Sequence, residues 1–216
     1  MKKFELTSET KLCFGRTLFR IRALVAFGDV DAGELGGWIE KESNLSQDGN
    51  AWVYGNACVS GDARVCGDAR VYGNAKVYGN AEVSGNAKVY GDARVYGDAR
   101  VYGNAKVYGN AEVCERRAIM WISVIGSRND TVTFFAQKGG VIGVTVGCFY
   151  GSIDEFAEKV RATHGDNEHA RAYMLAIELA KLRVKVEVPA GTTNPDEHTN
   201  NTAEPIISAE EGKVND

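Results

Sequence analysis

The side chains able to do chemistry are few, and they fall in two regions. Three histidines, His164, His169 and His198, all lie in the C-terminal third. A base poised near neutrality is what general-base catalysis demands, and histidine is the side chain that most often supplies it. His164 and His169 are five residues apart, off the i,i+4 spacing that sets two metal ligands on one helical face, so no metal site is expected. Cys148, His164 and Asp166 have the residue types of a Cys–His nucleophile arrangement. A plainer reading sets Cys148 in an apolar strand and Gly165-Asp166 in a turn before a helix. Arg128, in the turn Ser127-Arg-Asn-Asp, is a candidate contact for an anion, against the commoner reading of a solvated turn arginine.

The second region is repetitive. From Gly49 to Val113 the chain repeats Gly-[Asn/Asp]-Ala-x-Val-y eleven times without a gap, and only x and y vary. In extended chain the Ala and Val, two apart, face one way, and x and y face the other. Gly followed by Asn or Asp suits a corner, because these residues tolerate positive φ. Three such hexads close a triangular coil, and coils stack about 4.8 Å apart as a parallel ladder. A Gly at every sixth residue excludes an amphipathic helix.

Stacking places residues 18 apart on one face. Tyr54, Tyr72, Tyr90 and Tyr108 then form a ladder, flanked by an x column of Trp52, Arg70, Lys88 and Lys106. Tyrosine offers rigid amphipathic contact area, and interleaved cations stack on it or pair with anions. This face is the one expected to make subunit or partner contacts; the competing reading is that the ladder merely stabilises the stack. The other outward columns read Ser60, Tyr78, Tyr96, Cys114 and Cys66, Ser84, Tyr102.

The hexads resemble the left-handed parallel β-helix of the bacterial hexapeptide-repeat superfamily, best known for acyltransferases. The left hand is an implication of that resemblance alone, since β-crossovers are otherwise right-handed. Residues 28–52 are similar to the entry segment of bacterial and prophage β-helix proteins, some of which carry a transferase label. The resemblance implies a histidine base beside the coils and CoA in a cleft between subunits. None of the three histidines lies in the repeat, and an uninterrupted prism offers few concave pockets.

The flanks must supply what the prism lacks. Residues 3–27 read as a hairpin, and 1–38 as a β cap over the raw sheet edge of a solenoid spanning 39–114. Residues 115–188 read as a small α+β domain, with strands at 118–126, 131–136 and 141–150. Ser152-Ile-Asp-Glu155 is a capping box that opens a helix with Ile153, Phe156, Ala157 and Val160 inward. A second helix over about 167–182 is expected to bury Ala172, Leu175, Ala176, Leu179 and Leu182, with a final strand at 184–188. This domain resembles a module of phage-type proteins through Gly-Ser-Arg (126–128), Gly-Cys-Phe-Tyr-Gly (147–151) and His-Gly-Asp (164–166).

Composition narrows the partners. Residues 189–216 carry six acids against Lys213 and all three prolines, and read as a disordered acidic tail. The remainder is nearly neutral, and the hexads hold seven Lys/Arg against six Asp/Glu, so no nucleic acid is expected. No apolar run could span a membrane and no signal-peptide core is present. Five cysteines without a CxxC pair fit free thiols in the cytoplasm.

The fold expected is therefore mainly β, a left-handed triangular solenoid with an N-terminal β cap and a C-terminal α+β domain. Its expected role is non-catalytic: a rigid oligomerisation element, a trimer by resemblance, whose C-terminal domain binds a protein or small ligand without a cofactor. The first alternative is an acyl-CoA-dependent acyltransferase with His164 as base and CoA bound. The second is a phage factor that sequesters a host signalling ligand or protein.

Overall fold

Eleven two-residue strands, one per hexad, wind into a three-sided parallel solenoid. One face stacks β4 (Trp52–Val53), β7 (Arg70–Val71), β10 (Lys88–Val89) and β13 (Lys106–Val107). The second stacks β5 (Cys58–Val59), β8 (Lys76–Val77), β11 (Arg94–Val95) and β14 (Glu112–Val113). The third holds β6 (Arg64–Val65), β9 (Glu82–Val83) and β12 (Arg100–Val101). Pairing is in register at 18 residues, Val71 on Val89 on Val107. Every hexad Ala and Val is buried, so the interior is a column of small side chains. The corner glycines have positive φ, and a Cβ at Gly73 would press on the Gly91 backbone one coil on. The structure, a computed structural model, describes residues 2–187, so the tail expected over 189–216 lies outside the described residues.

The ladder has a polarity. Each coil donates its N–H groups to the carbonyls of the next, as Trp52 N–H does to Ala69 O and Tyr54 N–H to Val71 O. The first coil therefore presents bare carbonyls, and the chain before it supplies donors on all three faces. Lys3 Nζ donates to Gly49 O and Ala51 O at 3.2 and 3.0 Å. The backbone of β3 (Leu35–Ile39) lies parallel on β5, with Trp38 and Glu40 N–H donating to Ala57 O and Val59 O. Asn44, fully buried, donates from Nδ2 to Gly61 O and Ala63 O at 3.0 and 2.8 Å. Ile39 stacks on Val59 and Leu45 bridges Val65, forming an incomplete coil. A hairpin of β1 (Phe4–Cys13) and β2 (Arg16–Ala23) joins antiparallel to β3.

The first coil corrects one expectation. Trp52, at an x position expected to face outward, is fully buried, with Phe4 and Phe27 packed edge-on at 6.2 and 5.3 Å. The chain preceding the coils folds over that face, and an indole is the apolar surface on which it packs.

The last coil presents N–H groups and meets an antiparallel sheet: β15 (Ile119–Ile125), β16 (Asp130–Gln137), β17 (Val141–Val146) and β18 (Phe149–Ser152). Thr133 Oγ1 accepts from Lys106 N–H at 3.1 Å, and Thr145 Oγ1 donates to Lys106 O at 2.8 Å. Alternate residues of this sheet face opposite ways: Phe135 joins the solenoid core, and Val132 and Phe134 join a second core under the helices. Helix α1 (Ile153–His164) opens with the expected capping box, Ser152 and Glu155 bonding reciprocally, and buries Ile153, Phe156, Ala157 and Val160 as expected.

Three expectations for this module are corrected. The strand expected over 141–150 breaks at Gly147, where positive φ turns the chain between β17 and β18, so Cys148 sits in an exposed hairpin turn. Residues 184–187 form no strand; Lys185 N–H donates to Arg117 O instead, and Val188 lies outside the described residues. In α2 (Glu168–Arg183) Ala176 is buried, but Leu175, Leu179 and Leu182 are exposed; the inward set is Ala170, Tyr173, Ala176, Ile177 and Ala180. The alanines permit close approach to α1 and the sheet, and Tyr173 packs edge-on against Phe156 at 5.3 Å. No helix among the described residues is long and apolar enough to cross a membrane.

Burial pushes the Lys3 ammonium down to about 8 from 10.5, with Asp48 and Asp68 pulling the other way. Its charged form is thus disfavoured in the fold, and stability rises as pH climbs from about 8 to the unfolded value near 10.5. Lys3→Met should abolish that rise in a series of denaturant melts at different pH. Asn44→Ala strips two carbonyls of their donor and should cost about 1–3 kcal/mol in the same melts. A loss within error would show that Asn44 is not closing the ladder.

Candidate functional site

The residues expected to bind divide between two places. The first is the tyrosine face. Tyr72 and Tyr90 stack at 4.7 Å and 4°, and Tyr90 and Tyr108 at 4.6 Å and 10°. Tyr54 meets Tyr72 edge-on at 6.5 Å, because its hydroxyl donates to Asp29 Oδ1 at 3.1 Å. Arg70 pairs with the other Asp29 oxygen at 2.7 Å. The N-terminal segment therefore occupies this end of the face. Lys88 and Lys106 are half-buried along it and make no ion pair among the described residues.

Each tyrosine column is also closed by an aromatic ring from outside the repeat. Tyr150, on β18, lies 4.1 Å from Tyr108, and a Cβ at Gly109 would run into its hydroxyl. Phe14 sits 5.2 Å from Tyr78, which stacks on Tyr96 at 5.0 Å, and Lys76 lies over the Phe14 ring. Trp121 meets Tyr102 edge-on at 4.4 Å. The ladders are used within the chain, as docking strips for its two ends. At the corners, Asn side chains donate to the Asp or Asn one coil on, as Asn74 does to Asp92 and Asn86 to Asn104.

The second place is a cleft of about 280 Å³ on the helix-facing side of the β15–β18 sheet. Three separate segments deliver its rim: the turn after β15 brings Ser127 and Arg128, the β17–β18 turn brings Gly147, Cys148 and Phe149, and the end of α1 brings His164. These are the segments that carry the module's resemblance to phage-type proteins. Buried Phe156, Val160 and Tyr173 also line it, with Lys159 and Thr163 from the exposed side of α1. The His164 ring lies 6.0 Å from Tyr173 and 5.8 Å from His169.

Sequence reasoning placed Arg128 and His164 without joining them, and it missed Lys159, Thr163 and Tyr173. It also took Cys148 into a strand, although the Gly147 beside it signals the turn. Asp166 does not line the cleft, so the geometry does not complete a Cys148–His164–Asp166 triad. Among the described residues no three metal-ligating side chains gather in one place.

The YdcK beta solenoid repeat family model matches residues 63–79 and 87–103, within the hexads. A 37-residue stretch, 17% of the chain, is 51% identical to the "Uncharacterized acetyltransferase YdcK" of Escherichia coli (strain K12). That stretch spans 11% of the YdcK protein. The family match thus lies within the repeat, in agreement with the hexapeptide-type solenoid described above.

Burial and stacking make the ladder hydroxyls hard to ionise. Tyr90 is pushed up to about 12 by burial and by its neighbours Tyr72 and Tyr108; Tyr54 also reaches about 12, through burial and then Asp29. A phenol whose folded pKa is raised contributes stability that is complete below pH 10 and lost as pH rises through 12. Spectrophotometric titration of the phenolate band should show these rings ionising late, together with the unfolding transition. Ionisation of Tyr90 near pH 10 in the folded protein would contradict a packed ladder.

Proposed function

We propose that this chain is a non-catalytic binding protein, with the solenoid as rigid oligomerisation element and the C-terminal cleft as ligand site. The observation that carries the proposal is the convergence of three distant segments, 127–128, 147–149 and 164, on one concavity. Concave sites with an apolar floor and a few convergent polar groups are where small ligands bind. Along the prism the outward tyrosines stack on one another and on the chain's own ends. A trimer is the oligomer implied by resemblance to hexapeptide-repeat proteins. A protein that binds without turnover can act by withdrawing its ligand from solution, which includes sequestration of a host signalling molecule.

A second reading, acyl transfer from CoA with His164 as base, draws on the short likeness to the uncharacterized acetyltransferase YdcK. His164, however, lines a cleft to which no solenoid residue contributes, whereas the resemblance implies a base beside the coils. Rim cysteine, histidine and hydroxyl groups alone do not make a transferase, and among the described residues no side chain hydrogen-bonds the His164 ring to orient it toward a nucleophile.

Native mass spectrometry of the protein purified gently from its host's lysate tests both readings. An oligomer retaining a small molecule other than CoA, released unchanged on denaturation, is the expected outcome. Retained CoA or acyl-CoA, with acyl transfer abolished by His164→Ala, would overturn the non-catalytic reading. A ligand-free monomer would overturn both the ligand and the assembly.

A further inference from the structure

The cleft's chemistry is lopsided. Its rim carries the cations Arg128 and Lys159, both exposed, and neither makes an ion pair among the described residues. Ser127 and Thr163 add hydroxyls that can donate. The one acid in the lining, Asp130, already accepts the Thr131 N–H through Oδ1 at 2.7 Å. The end of α1 would ordinarily repel an anion through its free carbonyls, but Arg161 O and His164 O accept from the Gly165 and Asn167 amides.

Tyr173 is the second observation. It is 7% exposed, yet its hydroxyl has no hydrogen-bond partner among the described residues. It lies against Gly126, beside the turn that carries Ser127 and Arg128, where any Cβ would collide with it. The ring is buried but the hydroxyl itself is not shut off from the cleft, so it is free to donate to a ligand there. Burial and the nearby Asp130 hold this phenol above its ordinary pKa, so it stays a donor. The cleft therefore presents donors and two cations against one carboxylate, around a floor of Phe149, Phe156 and Val160.

Resting on the reading of this cleft as the ligand site, we propose that its ligand is a small anion carried on a planar apolar body. The anionic head, carboxylate or phosphate, pairs with Arg128 and Lys159 and accepts from the Tyr173 hydroxyl; the body lies on Phe149 and Phe156. The volume of about 280 Å³ suits a single substituted ring. Arginine and lysine are the side chains that recognise such heads, and charge-assisted bonds are the strong ones.

The test uses the full chain and four probes: benzoate, phenyl phosphate, inorganic phosphate and benzylamine. Binding is read by calorimetry and by the rate of Cys148 alkylation, resolved from the other thiols by peptide mass mapping. Benzoate or phenyl phosphate should bind saturably and slow alkylation of Cys148, and the better of the two identifies the head. Inorganic phosphate should bind more weakly, and benzylamine not at all. Arg128→Gln and Lys159→Gln should each weaken binding by about tenfold. Tyr173→Phe keeps the ring and should weaken binding with an unchanged thermal transition. Protection by benzylamine equal to that by benzoate would overturn the anion while leaving the cleft a binding site. Binding indifferent to Arg128→Gln and Lys159→Gln would do the same. If no probe protects Cys148, the inference falls, and the retained-ligand experiment decides the cleft separately.

Discussion

A parallel ladder that runs one way is the constraint on which the rest depends. Every coil gives its N–H groups to the next, so the stack ends in carbonyls at one side and amides at the other. Neither end can be left bare, because unpaired edges cost free energy when covered and recruit other chains when exposed. The two flanking regions answer with opposite chemistry. Before the first coil stand donors: an ammonium (Lys3), a backbone strand (β3) and a carboxamide (Asn44). After the last stands a threonine-bearing sheet in which Thr133 accepts and Thr145 returns a bond.

Near-identical repeats create a second problem, since a slip by one coil keeps every Ala and Val inward. The aromatic columns resolve it by ending in rings that belong only to the flanks. Phe14 fits beside Tyr78, Trp121 beside Tyr102, and Tyr150 beside Tyr108 over Gly109. Asp29 holds the start of the first column through Tyr54 and Arg70. The cations that flank the tyrosines are thus partly enlisted in assembling the chain. The face expected to meet partners is, at both ends, an internal joint.

The C-terminal sheet connects this joint to the cleft. Successive residues on β18 point to opposite sides, so Tyr150 closes the solenoid's ladder while Phe149 lines the cleft and packs 5.2 Å from Phe156. The same alternation sends Thr133 and Phe135 to the last coil and Phe134 to the helices. The cleft is carried on a sheet whose other surface is anchored to a stiff prism, which favours a preformed site over one that orders on binding.

By itself the sequence determined what is local and periodic. The hexad dictates a short strand and a corner, hence the coil, its Ala and Val interior and its 18-residue columns. Ser152 and Glu155 likewise dictate the start of α1. The tertiary structure decided which of two apolar stripes α2 buries, because Tyr173 and the alanines fit the sheet and the leucines do not. It also decided that Trp52 turns from an outward column into a cap contact, since the covering residues Phe4 and Phe27 lie far away in sequence. Above all it made the cleft. Arg128, Cys148 and His164 are separated by long stretches of chain and share no period. Only the register of four antiparallel strands and the packing of α1 across them bring those side chains to one place.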